Sequence, residues 1–274
     1  MDSHKATTQV EKRDDTFVER SSTRIWQEVA SEDNPYIAEH NRCHGYDLID
    51  LVQKRSFVDV LYLLFRGELP TSEQSQLLEQ LLIAQINPGP RHPATQAAMN
   101  AGVSRASYSH ILPIALSVQG GEHLGGSEVE KAMRYFQQSI NQQPNVLAKQ
   151  LLETVQRPSE ADWHIVPGFG SRYGGIDTFQ NKIVSCLTEL TASGPALNWG
   201  SQFAEQLQHH DLGWLSTGVA AAVLTDLGFP PRAGAGMFQI ISAPGLLAHG
   251  LEMTTQPVTA MPFLDEDHYV IENQ

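Results

Sequence analysis

The sequence feature that most constrains the fold is a succession of helix-length segments with apolar residues at helical spacing and glycine or proline at their ends. In one of them, Ser56 precedes FVDVLYLLFRGEL with Asp59 three residues further on, a variant of the capping box, and Gly67 fits a C-terminal cap. Further segments of this kind are, in chain order, SEQSQLLEQLLIAQI, ATQAAMNAGV, YSHILPIALSVQ, VEKAMRYFQQSI, NVLAKQLLETVQ, TFQNKIVSCLTEL, NWGSQFAEQLQHH, TGVAAAVLTDLGF and FQIISAPGLLAHGLEM. Alternating strand patterns are scarce, and only Thr16 to Val29 is a candidate for a short hairpin. The pattern therefore predicts an all-α fold.

The composition excludes several classes of partner. With 18 Lys+Arg against 31 Asp+Glu, the 274-residue chain carries a formal charge of −13 and would repel nucleic acids and anionic membranes, although a locally basic pocket could still bind a small anion. No run approaches the roughly 18–20 apolar residues that span a bilayer, and the polar N-terminus lacks the core of a signal peptide. Cys43 and Cys186 show no CxxC spacing and are interpreted as free thiols, with Cys186 expected in the core. We predict a cytoplasmic protein with no nucleic-acid or membrane partner and a flexible tail over residues 1–20.

A glycine-dense loop, PGFGSRYGGID from Pro167 to Asp177, is the first candidate for a binding site. Its glycines would let the backbone approach a ligand closely, and Arg172 could pair with a carboxylate or a phosphate. A surface loop with a solvated arginine is the alternative interpretation. No GxGxxG or P-loop spacing occurs, so nucleotide binding is not indicated.

A second candidate is GGEHLGGSE, Gly120 to Glu128, which places His123 in a turn between two helices. A histidine offered to a ligand could exchange a proton near neutral pH, with Glu122 orienting it. A flexible connection with a chance histidine explains the pattern equally well. The HHD cluster at 209–211 fits a solvated helix end better than a metal site, and His249 fits a packed, hydrogen-bonded histidine, so no metal site is predicted.

Three segments resemble the citrate synthase family, including its short citryl-CoA lyase-like branch. They are HGYDLIDLVQKRSFVDVLYLLFRGELPT, then GGEHLGGSE followed by GFGSRYGGID, and finally AAVLTDLGFPP with FQIISAPGLLAHGLE. Their order and spacing agree with the family over residues 40–255. The resemblance implies an all-α homodimer with a large domain (residues 21–123 and 230–274), a small domain (124–229) and an active site between them.

The resemblance also implies a chemistry. In this family a carboxylate removes a proton from the methyl carbon of an acyl-CoA thioester, one histidine hydrogen-bonds the forming enol, and a second histidine polarises a ketone. Arginines hold the carboxylates of oxaloacetate. The reverse reaction cleaves a citryl-type thioester. A coenzyme A thioester or a carboxylic acid would therefore be the small-molecule partner, with no permanently bound cofactor.

The family's reactive residues transfer only in part. His123 fits the enol-stabilising histidine, Ser171 stands at the position of the second histidine, and Thr217 stands at that of the aspartate base. A threonine has no useful basicity at neutral pH. Asp211, six residues before Thr217, could replace the base after a shift of the loop.

The substrate-binding positions are also altered. The arginine of the family's DPR is lost from the stretch that begins at Asp177, and Ser242 replaces an arginine before the APGLLAH stretch. The positions assigned to substrate binding are Glu122, Arg172, Asp177 and Ser242. Losing two bidentate carboxylate partners argues against oxaloacetate as the substrate.

Three functions remain open from the sequence. The first is a divergent enzyme that makes or breaks a carbon–carbon bond of an acyl-CoA or related thioester. The second is a catalytically inactive binding or regulatory paralogue of the family. The third is a different reaction in the same cleft, with His123 and Glu122 as acid and base.

Overall fold

A computed structural model describes residues 22–156, 162–262 and 269 of the chain. The tail predicted at residues 1–20 lies outside the described residues. The chain divides into two compact units, residues 1–54 and 55–274, which are described separately below.

The first unit contains a small antiparallel sheet followed by a short helix. Trp26 pairs with Cys43, and Asn34 closes the intervening turn by accepting a hydrogen bond from the Tyr36 amide at 2.9 Å. The hairpin predicted at Thr16 to Val29 lies partly outside the described residues; in the described part, the strand that begins at Trp26 pairs with one that follows this turn. The elements are β1 (Trp26–Ala30), β2 (Ala38–Cys43), β3 (Tyr46–Asp47) and α1 (Leu48–Lys54).

The second unit is mainly helical. Its helices are α2 (Phe57–Arg66), α3 (Ser72–Ala84), α4 (Pro93–Val103), α5 (Tyr108–Gln119), α6 (Gly126–Ser139), α7 (Pro144–Thr154), α8 (Thr178–Thr188), α9 (Pro195–Leu207), α10 (Ser216–Asp226) and α11 (Pro231–Met253). A second small antiparallel sheet comprises β4 (Trp163–Val166), β5 (Phe169–Ser171) and β6 (Gly213–Trp214). The all-α prediction is confirmed, since the strands are few and short.

The ends of α2 follow from local chemistry. The Ser56 hydroxyl accepts a hydrogen bond from the Asp59 amide, and the Asp59 carboxylate accepts one from the Ser56 amide, both at 3.1 Å. Gly67 ends the helix in the left-handed conformation, which glycine adopts without a steric penalty. The predicted capping box and C-terminal cap are both confirmed.

Helices α6, α10 and α11 pack together at the centre of the second unit. Helix α10 is buried from Thr217 to Leu224, and its small residues permit close approach: a Cβ on Gly218 would collide with the carbonyl oxygen of Gly168. An aromatic cluster that includes Phe136, Phe169 and Trp214 fills the space beside β5 and β6. This packing fixes the glycine-dense loop against the helical core.

Two further expectations can be compared with the structure. Cys186 is exposed rather than in the core, because Val184 and Leu187 form the buried face of α8.

No helix in the described ranges is long and apolar enough to cross a bilayer. The proposed boundary between a large and a small domain at residues 123 and 230 stays a prediction; the structure groups both sides of it in one compact unit.

Candidate functional site

A cavity of about 580 Å³ lies in the second unit. Two segments that the sequence singled out contribute to its wall, the turn before α6 and the glycine-dense loop. The break between α3 and α4, NPGPRHP, forms a third side. The lining residues are Ala84, Gln85, Asn87, Pro88, Gly89, Arg91, His92, Leu124, Arg172, Tyr173, Ile176, Asp177, Thr178, Phe179, Gln180, Ser216, Phe238 and Ser242.

The turn between α5 and α6 presents Leu124, not His123, to this cavity. Leu124 is 4% exposed and has a left-handed backbone with φ of 55°, an unusual conformation for a leucine. Its amide donates to Glu128 Oε2 at 2.9 Å, and its carbonyl oxygen lies 3.2 Å from His92 Nε2. These two hydrogen bonds hold the turn in its strained shape.

Glu128 connects the turn to the glycine-dense loop. Its carboxylate is almost fully buried and accepts hydrogen bonds from the amides of Leu124 and Gly168, at 2.9 and 3.1 Å. The same carboxylate lies 2.7 Å from His164 Nδ1. A buried carboxylate needs such partners, so Glu128 ties together segments that lie 40 residues apart in sequence.

His123 lies beside the cavity wall, with its side chain 53% exposed. Its ring stacks on that of His164, with centroids 4.7 Å apart and planes 16° from parallel. Its Nε2 is 3.7 Å from Asp162 Oδ2, and the same oxygen accepts a 2.6 Å hydrogen bond from Arg172. His123 is therefore adjacent to a charged pair that includes a lining residue, Arg172.

His92 combines a structural role with a position in the cavity wall. Its Nδ1 accepts a hydrogen bond from the Ala94 amide at 3.2 Å, which caps α4, and its Nε2 then donates to the Leu124 carbonyl. Burial lowers the pKa of His92, against an opposing effect of the hydrogen bond to Leu124; the charges of Arg172 and His123 lower it further. A neutral ring with both nitrogens engaged is poorly suited to act as a base.

Neutral polar groups line another part of the cavity. Ser242 is buried, and its hydroxyl oxygen accepts a 3.1 Å hydrogen bond from Gln119 Nε2. Gln85 Nε2 donates to the Ser216 carbonyl at 2.9 Å. This region therefore offers amides and hydroxyls, not charges, to a ligand.

The charged lining residues are two arginines and one carboxylate. Arg91 is exposed and makes no ion pair with the acidic side chains of the described residues, while Arg172 is paired with Asp162. The Asp177 carboxylate caps α8 by accepting from the amides of Phe179 and Gln180. In an acidic protein, a lining arginine that, like Arg91, makes no ion pair among the described residues favours an anionic ligand group near it.

The solved structures that resemble this one agree with the sequence resemblance. The chain is similar to citryl-CoA lyase from Hydrogenobacter thermophilus, with 28% identity and a TM-score of 0.74 over 93% of this chain and 94% of that one. These neighbours support the resemblance to the citrate synthase family and to its short citryl-CoA lyase-like branch.

More distant structures share the fold. ATP citrate lyase from Methanothrix soehngenii, in complex with citrate and coenzyme A, is 17% identical with a TM-score of 0.67, covering 96% of this chain but 48% of that one. Citrate synthase from Thermotoga maritima MSB8 is 12% identical with a TM-score of 0.52, covering 94% of this chain and 96% of that one. No family model and no curated protein sequence matches the chain.

The residues assigned to catalysis from the family resemblance do not meet in the cavity. Ser171 and Thr217 are fully buried and are not among the lining residues, and His123 lies outside the lining as well. The Thr217 hydroxyl is buried without a hydrogen-bond partner. The catalytic roles assigned to these three residues stay predictions.

The residues assigned to substrate binding divide into two groups. Arg172, Asp177 and Ser242 line the cavity, as a binding role requires. The Glu122 side chain is exposed and pairs with Lys131 at 2.9 Å. Asp211, which was considered as a replacement for the catalytic base and not as a binding residue, ends a short 3-10 helix on the surface and is not a lining residue.

Several site residues were missed by the sequence reasoning. Arg91 and His92 lie between the predicted helical segments SEQSQLLEQLLIAQI and ATQAAMNAGV, and Asp162 and His164 precede the glycine-dense loop. His92 had one local signal, since it stands directly before Pro93 at the start of a helix. The other three carry no local signal, because only tertiary contacts bring them to the site.

The remaining histidine patterns agree with their simpler interpretations. His209 and His210 are exposed at the end of α9, and His249 lies 3.1 Å from Asn87 Nδ2. Among the described residues, no group of three or more His, Cys, Asp or Glu side chains could hold a metal ion.

Proposed function

We propose that this protein is a divergent lyase or synthase of the citrate synthase type, which breaks or makes a carbon–carbon bond of a coenzyme A thioester. The observation that supports this most strongly is the similarity to citryl-CoA lyase along nearly the full length of both chains. The cavity of about 580 Å³, bounded by two of the segments that carry the sequence resemblance, is the proposed substrate site.

The lining favours a substrate bulkier and less anionic than oxaloacetate. Arg172 and Arg91 provide positive charge at the wall, whereas Ser242 and Gln85 provide only neutral hydrogen-bonding groups. One carboxylate or phosphate on the substrate would pair with an arginine. A second carboxylate beside Ser242 would find no cation.

In this proposal His123 hydrogen-bonds the enol of the thioester as it forms, from its exposed place beside Asp162, the partner of Arg172. Ser171 and Thr217 are buried and are not among the lining residues, so the proposal does not depend on a contact between them and the substrate. The protein acts as a homodimer, because Ile114 and Val118 on α5 and Ile240 on α11 expose apolar surface that a second copy would cover.

A second candidate is a catalytically inactive binding or regulatory paralogue. It is favoured by the apolar Leu124 where the turn meets the cavity, and by the engagement of both ring nitrogens of His92. Asp177, the sole carboxylate among the described lining residues, already caps α8. Under this hypothesis the cavity binds a thioester without transforming it.

Both candidates can be tested with one set of measurements. The purified chain would be incubated with a panel of citryl-type thioesters, and separately with acyl-CoA and 2-oxo acid pairs, with products followed by mass spectrometry. Turnover abolished by His123→Ala but retained by His209→Ala, an exposed histidine away from the cavity, would support the enzyme. Thioester binding without turnover would support the paralogue, and neither binding nor turnover would contradict both.

A further inference from the structure

Arg172 enters the cavity wall already paired with an internal anion. Its Nη1 lies 2.6 Å from Asp162 Oδ2, and Asp162 Oδ1 accepts a 2.6 Å hydrogen bond from the Tyr173 amide. Both charged side chains are largely sheltered, at 19% and 26% exposed. An anionic ligand that approaches Arg172 therefore meets a neutral pair, in which the charge of Asp162 opposes its binding.

His123 is a second group that, when protonated, can form an ion pair with Asp162. Its Nε2 lies 3.7 Å from the oxygen that already accepts from Arg172. With His123 neutral, the cluster of Asp162, Arg172 and His123 has no net charge. With His123 protonated, the cluster carries one positive charge, which a bound anion would balance.

We propose that an oxyanion binds at Arg172 together with one proton, which His123 takes up. Binding and protonation are then reciprocal: the anion favours the protonated ring, and the protonated ring tightens binding of the anion. The ligand group is a carboxylate or a tetrahedral oxyanion. The proposal rests on the cavity being the ligand site of the proposed function, but it requires no turnover.

Other titratable groups surround His123 and must be separated from it. His164 stacks on its ring and is held by Glu128, and His92 lies on the other side of the turn. Glu122, the preceding residue, is exposed and paired with Lys131. His164 is therefore the neighbouring imidazole that the variants must separate from His123.

Calorimetric titration of the full chain with simple anions tests the proposal. Oxalate represents a carboxylate ligand and sulfate a tetrahedral one, and neither changes its charge between about pH 6 and about pH 8, the range in which an ordinary histidine titrates. For whichever anion binds, we expect affinity at least about fivefold higher at the lower pH. Parallel titrations in two buffers of different ionisation enthalpy should show uptake of about one proton or less per anion.

Variants assign the proton. In His123→Asn, the affinity for the anion should be nearly independent of pH. At the higher pH, Asp162→Asn should bind the anion more tightly than the parent does, because the opposing charge of Asp162 is gone. Arg172→Gln should lose binding, whereas His209→Asn should behave as the parent, because that side chain is exposed and is not a lining residue. Circular dichroism would confirm that each variant is folded.

Three outcomes would overturn the proposal. The first is an anion affinity that does not change with pH in the parent. The second is a pH dependence that survives in His123→Asn, or that disappears only in His164→Asn. The third is that neither anion binds. Because turnover is not measured, these failures are distinguishable from the absence of thioester chemistry, which the substrate panel tests separately.

Discussion

Removing the Glu128 carboxylate should strongly destabilise the second unit. In Glu128→Ala, the amides of Leu124 and Gly168 lose their acceptor and His164 loses its partner at 2.7 Å. Both amide hydrogen bonds are buried, so water cannot readily replace the lost oxygens.

The magnitude follows from these contacts. Each buried amide left without an acceptor costs about 1–3 kcal/mol, and the substitution leaves two of them. We therefore expect the free energy of unfolding to fall by about 2–6 kcal/mol, a large part of the roughly 5–15 kcal/mol of an ordinary domain. Glu128→Gln, which keeps one acceptor oxygen, should lose less.

Urea unfolding followed by tryptophan fluorescence and far-UV circular dichroism would measure this change. Glu130→Ala is the matched control on the same helix, because Glu130 makes an i,i+4 pair with the exposed Arg134. Its loss should cost only about 0.3–0.5 kcal/mol. A Glu128→Ala variant no less stable than Glu130→Ala would show that Glu128 does not hold the two loops together.

Three further predictions concern the assembly, the activity and the pH dependence of folding. The protein should be a homodimer by light scattering at micromolar concentration, and Ile114→Glu or Ile240→Glu should shift it toward the monomer by placing a charge on the exposed apolar face; a monomeric parent would contradict this. Citrate formation from acetyl-CoA and oxaloacetate should be absent or far below about 1 s⁻¹ if, as the family resemblance implies, Thr217 takes the place of the base; efficient synthesis would refute the residue assignments. The free energy of unfolding should decrease as pH falls below about 6.5, because the pKa of the buried His92 is lowered and the unfolded chain therefore binds the proton more readily than the folded chain. His92→Asn should lose this part of the pH dependence. Urea unfolding at two pH values would measure the difference.

The sequence was most informative where structure depends on neighbouring residues. The segment YSHILPIALSVQ coincides with α5, and the Ser56, Asp59 and Gly67 signals mark the ends of α2 as predicted. Helical spacing and caps act within about a turn of the backbone, so a short stretch of sequence contains the information. The pairing of β1 with β2 was not predicted, since strand pairing depends on a partner further along the chain.

The family was also predictable, because its motifs recur in a fixed order along the chain. The arrangement of the site was not. Whether the turn before α6 offers His123 or Leu124 to the cavity depends on the left-handed φ of Leu124, which the buried Glu128 and His92 maintain. Neither contact leaves a pattern in the sequence of the turn itself.

The sequence by itself determined the helices and their order, which depend on local hydrogen bonding and on the spacing of apolar residues. It also determined the family resemblance, which depends on the order of the motifs. Only the tertiary structure placed Arg91 in the same wall as Arg172, and Asp162 against both Arg172 and His123. Arg172 lies 2.6 Å and His123 3.7 Å from the same Asp162 oxygen, although His123 and Asp162 are 39 positions apart in the chain (162 − 123). Their combined effect on a ligand is a property of the folded chain, because an unfolded chain would leave each of them in water, where such interactions are weak.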